Sequence, residues 1–148
     1  MRKVKPNIFL AGVAELLSEG HSVKIRIDGM SMFPFIKGGK DEVELVPYQR
    51  NTVIPKGSGV FFRWKEQYMV HRLVKLDEGK FYMMGDGNLK QIEKVDDEDI
   101  LGILQTIFRQ DGSCIDCTGK QWRCRGLWWY RLRSIRRFLL PLFRRFCR

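Results

Sequence analysis

The chain has 148 residues, of which 44% are hydrophobic and 30% charged, a composition typical of a folded domain rather than a disordered chain. The formal net charge is +10, but nine arginines and no acidic residue lie between Trp122 and Arg148, which leaves the first 121 residues at +1. The basic character therefore belongs to a C-terminal tail, which argues against a uniformly basic nucleic-acid-binding domain.

The N-terminal residues predict a short helix rather than a targeting segment. Apolar residues between Ile8 and Leu17 recur near helical spacing, and Gly20 ends the pattern, so residues 1–21 form an N-terminal helical segment. Glu15 interrupts this stretch, and no small-residue cleavage site follows it. No run approaches the ~20 apolar residues that cross a bilayer. We therefore expect a cytoplasmic protein.

The central part of the chain predicts a sheet. Residues 22–28 alternate between apolar and polar side chains, as in a half-buried strand, and residues 29–39 form a bend rich in glycine. Further strands separated by Gly/Pro turns are predicted at 41–46, 60–64, 68–76, 80–84 and 100–109. Residues 22–109 should thus form a mainly β domain, a folded-over sheet or partial barrel.

One serine and one histidine are candidates for nucleophilic catalysis. Ser31 lies in a sharp bend directly after a strand, where backbone N–H groups can point at a substrate. A serine hydroxyl needs a base, and the chain has only two histidines. His71 lies in a predicted strand with Met69 and Leu73 on the same face, an apolar setting that suits a neutral imidazole base. A strand histidine alone is more often a core residue, and the pairing with Ser31 is what favours catalysis.

Four ordered segments resemble the signal peptidase I superfamily, which includes the self-cleaving repressors of the SOS response. Residues 29–34 (GMSMFP) resemble its nucleophile box, and residues 70–74 (VHRLV) its general-base strand in the histidine form found in archaeal and endoplasmic-reticulum enzymes. Residues 84–88 (MGDGN) resemble its Gly-Asp-Asn box, and residues 100–102 the following strand. The resemblance covers about residues 22–108. It implies a serine endopeptidase that works through an acyl-enzyme, with Ser31 as nucleophile and His71 as base.

The resemblance leaves the third catalytic residue open. Histidine-type members carry an aspartate several residues after the Gly-Asp-Asn box, and here Glu93 is the only acid in that stretch. Asp86 is the first choice to orient His71 and Glu93 the second, while Asp86 can equally be an Asx-turn residue that holds its own loop. The resemblance also implies that the Ser31 N–H binds the oxyanion, because Gly29 stands where some lysine-type enzymes have an assisting serine.

The same resemblance implies a peptide or protein substrate, lying as an added strand beside the nucleophile with small residues in shallow pockets. The residues expected to form the oxyanion and substrate-binding region are Gly29, Met30, Met32, Phe33 and Pro34. Core packing is the competing interpretation for the apolar members, above all for Met30. A leader or signal segment is one candidate substrate, and no cofactor is implied.

The tail predicts a basic amphipathic helix within residues 126–148. Leu132, Ile135, Leu139, Leu142 and Phe146 share one helical face between Trp128 and Arg148, arginines gather opposite, and Pro141 should kink or break the helix. An anionic membrane surface is the leading partner, at the inner face of the membrane. Packing against the domain itself or a partner is second, and nucleic acid third.

The cysteines lie in a predicted loop, residues 110–125, and in the tail. Cys114 and Cys117 have the spacing of half a zinc site, but Cys124 and Cys147 do not supply a second close pair, so reduced thiols without metal are expected. The alternatives to a peptidase are a self-cleaving repressor-like regulator and an inactive membrane-binding module. Residues 1–21 are too short for a helix-turn-helix, which weakens the first of these.

Overall fold

The computed structural model describes residues 6–146, with side chains from Ile8 onward. Predictions that fall on residues 1–5 and on Cys147 and Arg148 lie outside the described residues. The first helix, α1 (Pro6–Ser18), ends where expected: Gly20 adopts φ +90°, and the His21 N–H donates to the Leu16 carbonyl. A left-handed glycine of this kind is a common way to terminate a helix.

Eight strands follow α1. They are β1 (Val23–Arg26), β2 (Glu42–Pro47), β3 (Gly59–Trp64), β4 (Gln67–Asp77), β5 (Lys80–Met84), β6 (Glu93–Val95), β7 (Ile100–Phe108) and β8 (Cys114–Asp116). A 3₁₀ turn at Asp97–Asp99 precedes β7. The six longest strands lie where the sequence predicts them, while the three-residue strands β6 and β8 were not predicted.

The strands form one antiparallel sheet in the order β1-β2-β7-β3-β4-β5-β6, and β8 pairs with the end of β7. The sheet curls into a half-barrel, which confirms a mainly β fold with one helix at the N-terminus and helical structure at the C-terminus. Bulges between Glu44 and Leu45 and between Phe61 and Phe62 bend the strands at the centre of the sheet.

Two apolar cores lie on opposite faces of the sheet, as the alternation of side chains requires. On one face, Phe61 and Val70 pack with Val13 and Leu17 of α1 and with Trp122. The other face has its own buried cluster. Its members are Ile54, Val60, Phe62, Leu73, Met83, Val95 and Ile100. Since β4 contributes to both cores, its central residues are buried on both sides.

The C-terminal tail forms two helices instead of one. Helix α2 (Lys120–Arg131) begins inside the segment predicted as a cysteine loop, and α3 (Arg136–Phe146) continues through Pro141. The break lies at residues 132–135, before the proline. A short turn there lets Trp129 of α2 and Leu140 of α3 pack together against Phe33.

Candidate active site

The bend that carries Ser31 is a compact turn closed at its base. Gly29 adopts φ +87°, a conformation that favours glycine, and the Gly39 N–H donates to the Ile27 carbonyl at 2.7 Å. Within the turn, the Phe33 N–H donates to the Met30 carbonyl at 3.1 Å, and the Phe33–Pro34 peptide is cis. The turn therefore fixes the backbone on both sides of Ser31.

The Ser31 turn lies directly against residues 85–88, called here the glycine loop. The Gly87 N–H donates to the Ser31 carbonyl at 2.8 Å. A Cβ added at Gly85 would overlap the Ser31 carbonyl, and one added at Gly87 would overlap the Met30 carbonyl. Both positions are thus restricted to glycine by close backbone contact, which explains the GDG pattern in physical terms.

His71 is buried on β4 beside the glycine loop. The last pair of β4 and β5 is Arg72 with Met84, so continuation of the antiparallel register places Gly85 opposite His71. The imidazole is 4% exposed and meets the Phe62 ring edge-on at 5.8 Å. Gly85 therefore lies between the two predicted catalytic residues: opposite His71 in register and in contact with the Ser31 backbone.

Glu93 is the acid that contacts His71. Its Oε1 lies 2.6 Å from His71 Nδ1, a hydrogen-bond distance, although the ring N–H is not aligned with that oxygen. Gln91 Nε2 donates to the same oxygen at 3.3 Å. The other oxygen, Oε2, is buried and has no partner among the described residues. This fully buried carboxylate retains unused capacity to accept a hydrogen bond or to stabilise a positive imidazole.

Asp86 does not orient His71, and the preference for it over Glu93 is corrected here. Arg72 Nε donates to Asp86 Oδ1 at 2.8 Å and Nη2 donates to Oδ2 at 2.7 Å, so both carboxylate oxygens are already engaged. Arg72 Nη1 completes the arrangement by donating to the Gly57 carbonyl at 2.7 Å. Arg72 and His71 point to opposite faces of β4, which is why an acid bound to Arg72 is directed away from the imidazole.

Two of the predicted substrate-binding residues belong to the core. Met32 is 1% exposed and packs with α1 and the sheet, and Phe33 is 3% exposed and packs against the tail. Their prediction as pocket-lining residues is therefore corrected. Met30, for which core packing was the competing interpretation, is instead 41% exposed. Pro34 is partly buried beside Phe33.

An apolar groove of about 460 Å³ opens beside Ser31. Its wall is formed by α1, the end of β1 and the facing parts of β3 and β4. The side chains that line it are Phe9, Leu10, Arg26, Ile27, Asp28, Phe61, Tyr68, Met69 and Val70, together with Ser31. Because β1 is the edge strand of the sheet within residues 6–146, its outer backbone groups have no strand partner there and lie next to this groove.

The Ser31 backbone and side chain are available for chemistry. Within residues 6–146 the Ser31 N–H donates to no backbone carbonyl, and no hydrogen bond joins Ser31 to His71. Hydrogen bonds between catalytic groups are often open in unliganded sites and close when substrate binds. Ser31 thus presents its hydroxyl and N–H beside the groove, whereas His71 is buried and is not among the residues that line the groove.

The sequence did not predict that the tail contacts this site. Trp129 Nε1 donates to the Asp86 carbonyl at 2.7 Å, and Arg136 Nη1 donates to the carbonyls of Asn88 at 2.9 Å and Gly85 at 3.2 Å. Burial lowers the pKa of Arg136 from its usual value. The only signal in the sequence was the clustering of Trp and Arg, which also suits a membrane surface.

Arg72 is also covered by the tail. Its guanidinium lies 4.0 Å from the centre of the Trp122 ring and 4.6 Å from that of Phe35. A Cβ added at Gly126 would overlap the same guanidinium. Helix α2 thus closes over the Arg72–Asp86 pair, and the tail packs on its own domain, the second of the three expectations for it.

The cysteines within the described residues are separate thiols. Cys114 and Cys124 are exposed and Cys117 is buried. Burial raises the pKa of Cys117 to about 12, so its thiol stays protonated at neutral pH.

Comparison of the chain with protein-family models and with curated proteins gives no match. Across the part of the chain that the structure describes, every helix is too short or too polar to cross a membrane.

Proposed function

We propose that the chain is a serine endopeptidase of the signal-peptidase-like class, with Ser31 as nucleophile, His71 as general base and Glu93 as the acid that orients His71. The observation that carries the proposal is the buried His71–Glu93 pair, 2.6 Å apart, beside the glycine loop that binds the Ser31 backbone. A buried acid–base pair next to an accessible serine is the arrangement that activates a hydroxyl.

The proposed reaction is acyl transfer. Because Nδ1 of His71 faces Glu93, Nε2 is the nitrogen that accepts the Ser31 proton as Oγ attacks the peptide carbonyl. The tetrahedral oxyanion accepts a hydrogen bond from the Ser31 N–H. The C–N bond then breaks, and His71 returns the proton to the leaving amine. Water repeats the sequence on the ester and restores free Ser31.

The groove beside Ser31 supports an extended, apolar peptide as substrate. A peptide that pairs with the free edge of β1 would run along Ile27 and Asp28 toward Ser31, with its side chains against Phe61 and Val70. Backbone pairing would supply affinity and the groove would supply selectivity. The apolar segment of a leader or signal peptide has this chemistry.

The test is a cleavage screen with extended peptides of about 10–15 residues, read by mass spectrometry. Wild type, Ser31→Ala and His71→Ala are compared at equal concentration, after circular dichroism shows that each is folded. We expect cleavage by wild type and loss in both variants. Because the exposed Ser18 lies outside the site, Ser18→Ala is the matched control and should cleave like wild type. Equal products from wild type and Ser31→Ala would overturn the proposal.

We further propose that the outer face of α3 binds an anionic membrane surface. Its inner face is buried against the domain, whereas a second apolar stripe is exposed at helical spacing. The members of this stripe are Ile135, which immediately precedes α3, and Phe138, Leu142 and Phe146 of α3. The exposed arginines of residues 133–145 are Arg133, Arg137, Arg144 and Arg145, of which Arg145 lies nearest the stripe at helical spacing. An exposed apolar stripe on a cationic helix is the complement of anionic headgroups over acyl chains.

The membrane proposal is tested with point variants, because deletion of the tail would uncover Arg72 and Phe33. Phe138→Ser with Leu142→Ser should lower the fraction bound to vesicles containing phosphatidylserine several-fold in a sedimentation assay. Val53→Ser, at an exposed apolar residue in the loop between β2 and β3, is the control. Binding that is equal for neutral and anionic vesicles, or unchanged in the double variant, would contradict the proposal.

A further inference from the structure

The tail holds the glycine loop by its backbone carbonyls. Of the four carbonyls in residues 85–88, three accept hydrogen bonds from Trp129 or Arg136. Arg136 Nη2 also donates to the Trp129 carbonyl at 3.2 Å, so the two side chains form one connected unit. This unit is called here the tail clamp.

The donors of the tail clamp are withdrawn from water. Trp129 is 6% exposed and Arg136 is 1% exposed. Among the described residues the carbonyls of Asp86 and Asn88 accept from no other donor, whereas the Gly85 carbonyl also accepts from the Asn88 N–H at 3.0 Å. Without the clamp donors, residues 86–88 would therefore have to move to find replacements. The clamp therefore restrains the position of the loop rather than adding surface contacts to it.

The glycine loop in turn fixes the position of Ser31. The Gly87 N–H that binds the Ser31 carbonyl lies between Asp86 and Asn88, whose carbonyls are held by the clamp. A second path is apolar, since Trp129 packs in one cluster with Phe33, two residues beyond Ser31. The loop and the nucleophile turn are thus both fixed from the tail.

We propose that Trp129 and Arg136 are positioning residues for the nucleophile, so that the C-terminal helices are part of the catalytic unit. This inference rests on the proposed peptidase function for its effect on rate. The physical reason is that attack requires the hydroxyl within a few tenths of an ångström of its productive position, and a displacement of about 1 Å can cost on the order of 10²-fold in rate. Neither side chain touches the reacting atoms.

The first experiment removes one donor and keeps the aromatic body. Trp129→Phe deletes the Nε1–H that binds the Asp86 carbonyl and should lower kcat about 10-fold or more, with KM changed less than about 3-fold, because the groove is untouched. Trp122→Phe is the matched control: it is the same substitution in the same helix at the same 6% exposure, and it keeps a ring over Arg72. Its kcat should stay within about 2-fold of wild type.

The second experiment does not depend on activity. Hydrogen exchange of a peptide that covers residues 84–90 reports on the Gly87 N–H, and it should be about 10-fold faster in Trp129→Phe but not in Trp122→Phe. Arg136→Met should accelerate the same exchange, and Arg136→Lys should restore part of the protection by keeping a donor. Global unfolding, followed by denaturant titration, separates local loosening from loss of the fold.

The outcomes distinguish the two proposals. If exchange at residues 84–90 is unchanged in Trp129→Phe and in Arg136→Met, the tail clamp does not position the site, whatever the cleavage assay shows. If both variants accelerate exchange and lower kcat while the control does neither, the inference is supported. A wild-type protein that cleaves no peptide in a Ser31-dependent way overturns the peptidase function, and the exchange result then decides the clamp alone.

Discussion

Two buried acid–base pairs lie one residue apart on β4, and they are built differently. Arg72 and Asp86 share two hydrogen bonds, a third goes from Arg72 to the Gly57 carbonyl, and the tail covers the guanidinium. His71 and Glu93 meet at one short contact on the opposite face. In that second pair, one carboxylate oxygen has no partner within residues 6–146.

On the proposed function, this difference separates a structural pair, Arg72–Asp86, from a catalytic one, His71–Glu93. A carboxylate whose oxygens are both held by a fixed guanidinium cannot respond to a charge that develops elsewhere. A buried carboxylate with spare capacity, next to an imidazole, can stabilise that ring when it becomes positive. Asp86 lies in the glycine loop and Glu93 follows it, and each acid meets a different face of β4.

The largest expected effect is on activity at the His71 face. His71→Gln removes the base and should reduce kcat/KM by about 10³-fold or more, while the midpoint of denaturation changes little, because the side chains are similar in size. Peptide cleavage and urea titration on the same sample check both parts. Retention of more than a tenth of wild-type activity would contradict the proposed role of His71. His71 would then be a buried structural residue like Arg72.

The next effect is on stability at the Arg72 face. Arg72→Met leaves Asp86 buried without its partner and should lower the free energy of unfolding by about 3–5 kcal/mol. Arg63→Met is the control, because Arg63 forms an ion pair with Asp99 while its side chain is 56% exposed, and such pairs are worth about 0–1 kcal/mol. If both variants lost the same free energy of unfolding, the buried Arg72–Asp86 pair would contribute no more to stability than an exposed ion pair.

Substitution of Glu93 should mainly lower activity, whereas substitution of Asp86 should mainly lower stability. Glu93→Gln should reduce kcat on the order of 10²-fold, because the charge that stabilises the imidazolium is lost, with a modest change in stability. Asp86→Asn should destabilise the protein by about 2 kcal/mol, because one oxygen facing Arg72 becomes a donor, and should reduce kcat less than Glu93→Gln does. A larger loss of kcat in Asp86→Asn would return the catalytic role to Asp86.

The smallest expected effect is on thiol chemistry at the Arg72 face. Iodoacetamide at pH 8 should label Cys114 and Cys124 in the native protein and spare Cys117, whose pKa is raised to about 12 by burial. Arg72→Met should open this face and let Cys117 react, whereas His71→Gln should not. Mass spectrometry of tryptic peptides locates the label, and rapid labelling of Cys117 in wild type would contradict the burial of this core.

The same thiol gives a pH dependence with a definite sign. Unfolded Cys117 ionises near pH 8.5, whereas in the folded protein it keeps its proton until about pH 12. The folded state therefore binds more protons across this window, and the free energy of unfolding falls as pH rises above about 8.5. Cys117→Ala should remove that part of the slope in denaturant titrations at pH 8 and pH 10.

The longer strands were predictable because alternation along a strand is a local property. The three-residue strands β6 and β8 were not, because pairing with β5 and β7 defines them and the chain carries no such information locally. The helix break at residues 132–135 was not predicted, because it also depends on packing between distant parts of the chain. Helical periodicity identifies apolar residues in the tail, but only docking shows that Leu140 is buried while Leu142 is exposed.

Ser31 and His71 could be identified from the sequence, but the acid that pairs with His71 could not. Ser31 and His71 were found from a bend, a strand and the order of motifs. The choice between Asp86 and Glu93 depended on which face of β4 each acid meets, and nothing in the sequence marked Arg72 as the partner of Asp86. Trp129 and Arg136 suited a lipid interface equally well, so their contact with residues 85–88 became visible only in three dimensions.

The tail clamp also has a consequence during translation. Trp129 and Arg136 are added to the chain after the whole sheet, and a growing chain begins to fold from its N-terminal side while synthesis proceeds at about 5–20 residues per second. Until these two side chains emerge from the ribosome, the carbonyls of Asp86 and Asn88 lack their donors. On the proposed mechanism, the nascent chain holds an unfinished site, and the enzyme becomes competent only when α2 and α3 dock. Such an order of assembly would protect the growing chain, and its neighbours on the ribosome, from premature cleavage.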